Sequence, residues 1–254
     1  MSWQRQNAGR LIRIGYSVFS NRDVLKPQHK QLKYNSRSVG NIVYKRPWLL
    51  EKVAAFLQDK ATNITLCNTS KEGRVNSVFD EDNIIKTLEG EFKEYIVRPT
   101  STRNWYDFML QLQNDNIPCN IKVSKGGTNN ALCKKALVYT FSTLQDDEIP
   151  ANMSFNKMIE LIEQNKRQER SHDCIKEYFY IYVDKIDRTI IVRSLCDIQH
   201  YVPSAQNWLQ INWDKEKKVN SENIQHENLQ DSYIRIRSVL RESLEKINST
   251  CDML

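Results

Sequence analysis

Asp107, Asn120 and Lys122 are the residues of this chain whose types and spacing could do chemistry. They fall in two strand-like runs, Asn104–Leu110 and Ile117–Ser124, which a short turn would fold into a β-hairpin. Side chains alternate along a strand, so Pro118, Asn120, Lys122 and Ser124 share one face and Cys119, Ile121 and Val123 the other. Spacing therefore builds a polar face and sets an aspartate beside a lysine on it. Metal-assisted hydrolysis of a phosphodiester needs that pair: the carboxylate holds a divalent cation, and the ammonium steadies the attacking water or the charge on the phosphate.

Other elements must bring further groups to this face. A helix is predicted from about Asp80, an acceptable N-cap, to about Ile96, with Ile84, Ile85, Leu88, Phe92 and Tyr95 as its apolar stripe. Glu81 falls near the middle of that stripe, Glu89 and Glu91 flank it, and Glu94 points away. Glu81 is either a wet first-turn carboxylate favoured by the helix dipole or a metal ligand facing the hairpin. Upstream, Pro47 precedes a helical run through Trp48, Leu49, Val53, Ala54, Phe56 and Leu57, Asn63–Cys67 reads as a short strand, and Ser70–Arg74 as a turn. Downstream, a loop over Lys125–Asn130 leads to a helix to Phe141, a loop over Gln145–Pro150 and an amphipathic helix over Met153–Lys166. Tyr178–Val183, Thr189–Val192 and Trp208–Trp213 read as strands, and Tyr233–Ile247 as a closing helix. This order implies an α/β fold with a mixed central sheet flanked by helices.

With 254 residues, 40% of them hydrophobic, the chain can bury one substantial core. No window is long and apolar enough to span a membrane, and the first residues lack an apolar leader, so a cytoplasmic protein is expected. Its six cysteines and four histidines are dispersed, which argues for reduced thiols and against a zinc site. The net charge is +6, and residues 1–60 carry twelve Lys and Arg against three acids. Residues 1–45 thus read as a basic arm suited to a polyanion or merely solvated, and residues 46–254 as a single domain.

Taken as blocks, Gly73–Ser77 with Asp80–Asp82, Asn104–Phe108, Asn120–Ser124, and Asp184–Leu195 followed by Trp208–Trp213 resemble type II restriction endonucleases of the PD-(D/E)xK superfamily. The resemblance spans roughly residues 70 to 215 and has no counterpart for the arm. Two positions depart from the pattern: Pro118 is not directly before Asp107, and Asn120 stands where an acid is usual two residues before the lysine. The resemblance implies a nuclease core in which Asp107 and Glu81 (or Glu89 or Glu91), helped by the Ile121 carbonyl, bind Mg²⁺. Lys122 would orient the water or stabilise the phosphate, and Asn120 would hydrogen-bond the water or Lys122. Ser124 and Lys125 would touch a phosphate; Arg74, Asn76, Arg103 and Asn104, with Asn207 and Gln210, are candidates for the DNA contacts. A homodimer, joined through the final helix or the Met153–Lys166 helix, would cut double-stranded DNA alongside a companion methyltransferase. A repair or recombination nuclease of the same fold, an inactive nucleic-acid-binding protein, and an interaction protein for RNA or acidic partners are the competing expectations.

Overall fold

The run Tyr178-Phe179-Tyr180-Ile181-Tyr182-Val183 alternates tyrosine with smaller apolar residues, and both sets are buried. The computed structural model describes residues 47–67, 73–101, 104–112, 115–125, 129–167, 176–219 and 228–251. Contacts divide the chain into Met1–Asn41 and Ile42–Leu254. The expected basic arm, residues 1–45, lies outside the described residues.

Five strands form the central sheet, in the order β1 (Ile96–Val97), β2 (Phe108–Leu112), β3 (Asp115–Ser124), β5 (Phe179–Asp184) and β6 (Ile190–Ser194). Every neighbouring pair is antiparallel except β3 and β5, so the sheet is mixed. Helices α1 (Trp48–Lys60) and α2 (Gly73–Phe92) cover one face, packing Leu49, Leu57, Ile84 and Leu88 on Phe108, Ile121, Phe179 and Ile181. The opposite face, with Tyr178, Tyr180 and Tyr182, meets α3 (Lys134–Phe141), α4 (Phe155–Gln164), α6 (Leu229–Cys251) and a second sheet. That sheet is antiparallel, ordered β4 (Asn129–Ala131), β8 (Trp208–Asn212), β7 (Tyr201–Ser204), and is followed by the short helix α5 (Trp213–Glu216). The α5 residue Trp213 stacks on Tyr182 with ring centroids 4.8 Å apart. Each such fully buried large side chain contributes about 1.5–3 kcal/mol.

Strand β3 is longer than either partner. Its first half, Asp115–Cys119, pairs with β2, and its second half, Cys119–Ser124, with β5. On the β2 side, the edge of β3 beyond Cys119 has no neighbouring strand among the described residues.

Several boundaries differ from expectation. Helix α2 begins at Gly73, two turns before Asp80; its first half exposes Val75, Val78 and Phe79 on a different face from the later stripe, which is why the apolar pattern did not reveal it. Asp80 is consequently a buried mid-helix residue and not a cap, and Ile96 leaves the helix to pair with Leu110. The Asn63–Cys67 segment starts in the turn that ends α1, buries Ile64 and Leu66, and pairs with no strand among the described residues; the side chains of Arg188 and Lys185 satisfy its Ile64 and Cys67 carbonyls. Asn129–Ala131 pairs with β8, which delays α3 to Lys134. Strand β7 escapes the periodicity because Pro203 interrupts it, as suits an edge strand. Strand β8 ends at Asn212 and Trp213 opens α5, one residue short of the expected strand, and α6 runs past Tyr233–Ile247 at both ends. No helix among the described residues is long and apolar enough to cross a membrane.

A buried ion pair fixes α2 to the sheet. Asp80, fully buried, pairs with Lys185 at the end of β5, and the same ammonium donates to the Cys67 carbonyl at 2.8 Å. Removing one partner of such a pair leaves the other uncompensated, at about 3–5 kcal/mol. Asp80→Asn and Lys185→Met are each expected to lose about that much in urea unfolding, and the double variant less than the sum. Strict additivity would show that the two groups do not act as a pair.

Candidate functional site

The site begins where β2 leaves β3. Asn104 accepts the Trp105 N–H with its own side chain at 2.9 Å, and the Trp105 ring turns away to stack on Tyr178 with centroids 5.5 Å apart. Such a local side-chain bond competes with the ladder. Asp107 therefore sits one residue before β2 and not within it, as the hairpin reading had placed it. Its N–H still donates to the Cys119 carbonyl at 2.9 Å, and its Oδ2 accepts the Ile121 N–H at 2.6 Å. The carboxylate thus takes the next ladder position in place of a carbonyl.

This grip settles the surroundings. The register Phe108↔Cys119 puts Asp107 opposite Asn120. The amide and carbonyl of one strand residue point the same way, so the Ile121 carbonyl faces the open edge alongside Asp107. Lys122, two residues on, has the same facing as Asn120 and lies beside Tyr182 of β5.

The inward face of α2 supplies the third group. Asn76, Ser77, Asp80 and Glu81 occupy it where Ile84, Ile85 and Leu88 do further along, so the helix turns polar as it passes the open edge. Ser77 Oγ donates to Glu81 Oε1 at 2.8 Å and holds that carboxylate. Burial pushes the Glu81 carboxyl above its ordinary pKa; the Asp107 charge adds to the rise, and the Lys122 ammonium opposes it. Asp107 is also raised by burial, against Lys122 and the Ile121 N–H. The Lys122 charge reaches both carboxylates and the Asp107 charge reaches Glu81, which puts the three groups in one electrostatic neighbourhood. Lys122 forms no salt bridge with any described residue, so the ammonium acts on both carboxylates without closing on either.

The other helix acids are elsewhere. Glu89 makes a two-pronged contact with Arg98, which also bonds Asp82, and Glu91 and Glu94 are exposed. Asn120 is half-buried, and its Oδ1 is buried with no hydrogen-bond partner. Among the described residues, no cluster of three His, Cys, Asp or Glu side chains is placed to hold a metal ion. This edge offers two carboxylates, an unpaired amide oxygen and a backbone carbonyl.

Two expected DNA contacts need correction. Asn76 is 9% exposed and its Oδ1 accepts the Cys67 thiol; Ser124 is 7% exposed and bonds the Tyr182 hydroxyl. Both are internal scaffolding. Asn104 and Lys125 are exposed at the two ends of the open edge, Asn207 is exposed in the β7–β8 turn, and Gln210 lies within β8. Arg74 is the second residue of α2, and Arg103 lies outside the described residues. Sequence reasoning missed Ser77 and the Asp80–Lys185 pair, whose signal was a polar patch on the inward side of an amphipathic helix.

Because burial raises Glu81 and Asp107, the folded metal-free chain binds their protons more tightly than the unfolded one. Their contribution to stability is therefore fully present below the ordinary carboxylate range and is lost as pH rises from there through the raised folded values. Asp107→Asn removes part of this fall and is expected to raise the metal-free Tm at pH 8 by roughly 2–4 °C. Thermal scans at pH 4 and pH 8, without divalent ions, read it. A variant no more stable than wild type at pH 8 contradicts the account.

No protein-family model and no curated protein matches this chain, so the chemistry open to it is carried by the geometry of the β3 edge.

Proposed function

We propose that the chain is a Mg²⁺-dependent endonuclease with a PD-(D/E)xK-like core, cutting double-stranded DNA at specific sites as type II restriction enzymes do. The observation that carries this reading is the meeting of Glu81, Asp107 and Lys122, from three separate elements, at one open strand edge. The residues present fit a hard cation: every donor is an oxygen, and the buried Asn120 Oδ1 lacks a partner. Asp107 and Glu81 would hold Mg²⁺, with the Ile121 carbonyl beside them. When bound, the ion supplies a Lewis acid that makes water acidic and neutralises charge on the scissile phosphate.

The chain's own groups do the rest. Lys122 orients the water that attacks phosphorus, and its ammonium stabilises the charge gathering on the phosphate oxygens as the ester bond breaks. The two carboxylates keep that ammonium close without capturing it. No covalent intermediate with the protein is needed. Asn104 and Lys125 are exposed beside this edge; Lys125 would touch a neighbouring phosphate and Asn104 would serve sequence readout. Two copies would present two sites to a palindromic duplex, and a partner methyltransferase would protect the host's own sites.

One observation favours a second reading. Asn120 stands in the acid's place, and two carboxylates alone hold a cation weakly, as in a nucleic-acid-binding protein that has lost activity.

Incubating the full-length protein with plasmid or phage DNA and Mg²⁺ separates the two. Discrete fragments are expected, and Lys122→Ala should lower kcat by about 10²–10³-fold, with DNA affinity measured in Ca²⁺ changed by less than about tenfold. Intact DNA at every Mg²⁺ concentration, or undiminished cutting by the variant, would sink the nuclease.

A further inference from the structure

We propose that Ser77 is a positioning residue that sets the ion preference of the site: its hydroxyl occupies one oxygen of Glu81, and this shifts selectivity from Ca²⁺ toward Mg²⁺. The inference rests on the metal-dependent reading above. It starts from what helix hydroxyls ordinarily do. Inside a helix, a serine or threonine hydroxyl commonly bonds the carbonyl four residues back. Thr87 of α2 does so, donating to the Asn83 carbonyl at 2.8 Å. Ser77 donates forward instead, to Glu81 Oε1, also at 2.8 Å. Other contacts hold the turn around it. Asn76 accepts the Cys67 thiol at 3.1 Å, and Asp80 accepts the Cys67 N–H and pairs with Lys185. With the helix anchored before and after it, the Ser77 hydroxyl is not needed to hold the backbone. What it fixes is the Glu81 side chain.

The same device recurs on the other acid. Asp107 Oδ2 accepts the Ile121 N–H at 2.6 Å, so each carboxylate of the site has one oxygen taken by a donor of the chain. A carboxylate can meet a cation through one oxygen or through two. Ca²⁺ takes both at once in its flexible shell, whereas Mg²⁺ demands a near-ideal octahedron, which the narrow bite of a single carboxylate does not fit. Two acids that each present one oxygen suit the smaller ion and deny the larger one its two-oxygen grip. The donor on Asp107 is backbone and cannot be substituted. The donor on Glu81 is a side chain and can.

Calorimetric titration of the full-length protein without DNA, once with Mg²⁺ and once with Ca²⁺, reads the preference directly. Ser77→Ala should weaken Mg²⁺ binding by about three- to tenfold while Ca²⁺ binding holds or tightens, so the Mg²⁺/Ca²⁺ affinity ratio falls by about tenfold. Circular dichroism establishes that the fold is kept. Ser77→Cys, similar in size but a far weaker donor, carries the test if the alanine variant does not fold, and the same fall in the ratio is expected of it. A role confined to structure would weaken both ions alike and leave the ratio unmoved. That result overturns the proposal, as does a ratio that rises; the nuclease reading survives either. If neither ion binds wild type, the inference and the metal-dependent reading fall together.

Discussion

The bond between the Asp107 carboxylate and the Ile121 N–H is the interaction on which the site depends. Strand β3 has ten residues, and β2 accompanies only its first half. A strand edge left open inside a protein exposes amides that need partners. Here a side chain takes up the amide where β2 has ended. That substitution has two consequences. It closes the ladder without a further residue of β2, and it aims a carboxylate along the edge where Asn120 and the Ile121 carbonyl emerge. Register alone thus converts a strand ending into a cluster of oxygen donors.

The cluster is held against its own electrostatics. Glu81 and Asp107 are both desolvated, the Asp107 charge raises the cost of charging Glu81, and Lys122 lowers that cost for both. Nothing in their immediate contacts repays this fully: Ser77 gives Glu81 one hydroxyl, and Ile121 gives Asp107 one amide. The scaffold does so from outside. Asp80, the residue before Glu81, is locked to Lys185, whose own N–H donates to the Ser124 carbonyl at the end of β3. One buried pair therefore ties the helix turn that carries Glu81 to the strand that carries Asn120 and Lys122. On the other face, Tyr178 just before β5 stacks on Trp105 and Tyr182 within it stacks on Trp213, which packs the middle of the sheet beneath the open edge. Stability is supplied by packing and spent on two carboxylates that a divalent cation would compensate.

Sequence periodicity reached the groups that alternate on one strand and missed what depends on pairing. Asn120 and Lys122 were legible because a period of two fixes their facing, and Glu81 because it interrupts an apolar helical stripe. The mixed sheet with flanking helices was legible for the same reason: Tyr178–Val183 and the Met153–Lys166 pattern are long and strongly periodic. The true start of α2 was hidden because Val75, Val78 and Phe79 face solvent on a side other than the later stripe, which breaks the pattern mid-helix. Strands β4 and β7 were hidden because they are short and owe their conformation to β8.

Polar residues near the site were the least legible of all. Asn76, Ser124 and Asp80 read as surface groups or caps, yet each is buried and engaged by a distant partner: Cys67, Tyr182 and Lys185. Composition cannot distinguish a polar residue that meets a ligand from one that meets the fold, since both need the same donors and acceptors. What separates them is whether the partner is already present. By that criterion Ser124 and Asn76 belong to the scaffold. Among the described residues, Asn120, whose buried oxygen has no partner, and Lys122, whose ammonium lies near two carboxylates and pairs with neither, are the groups left over for the proposed site.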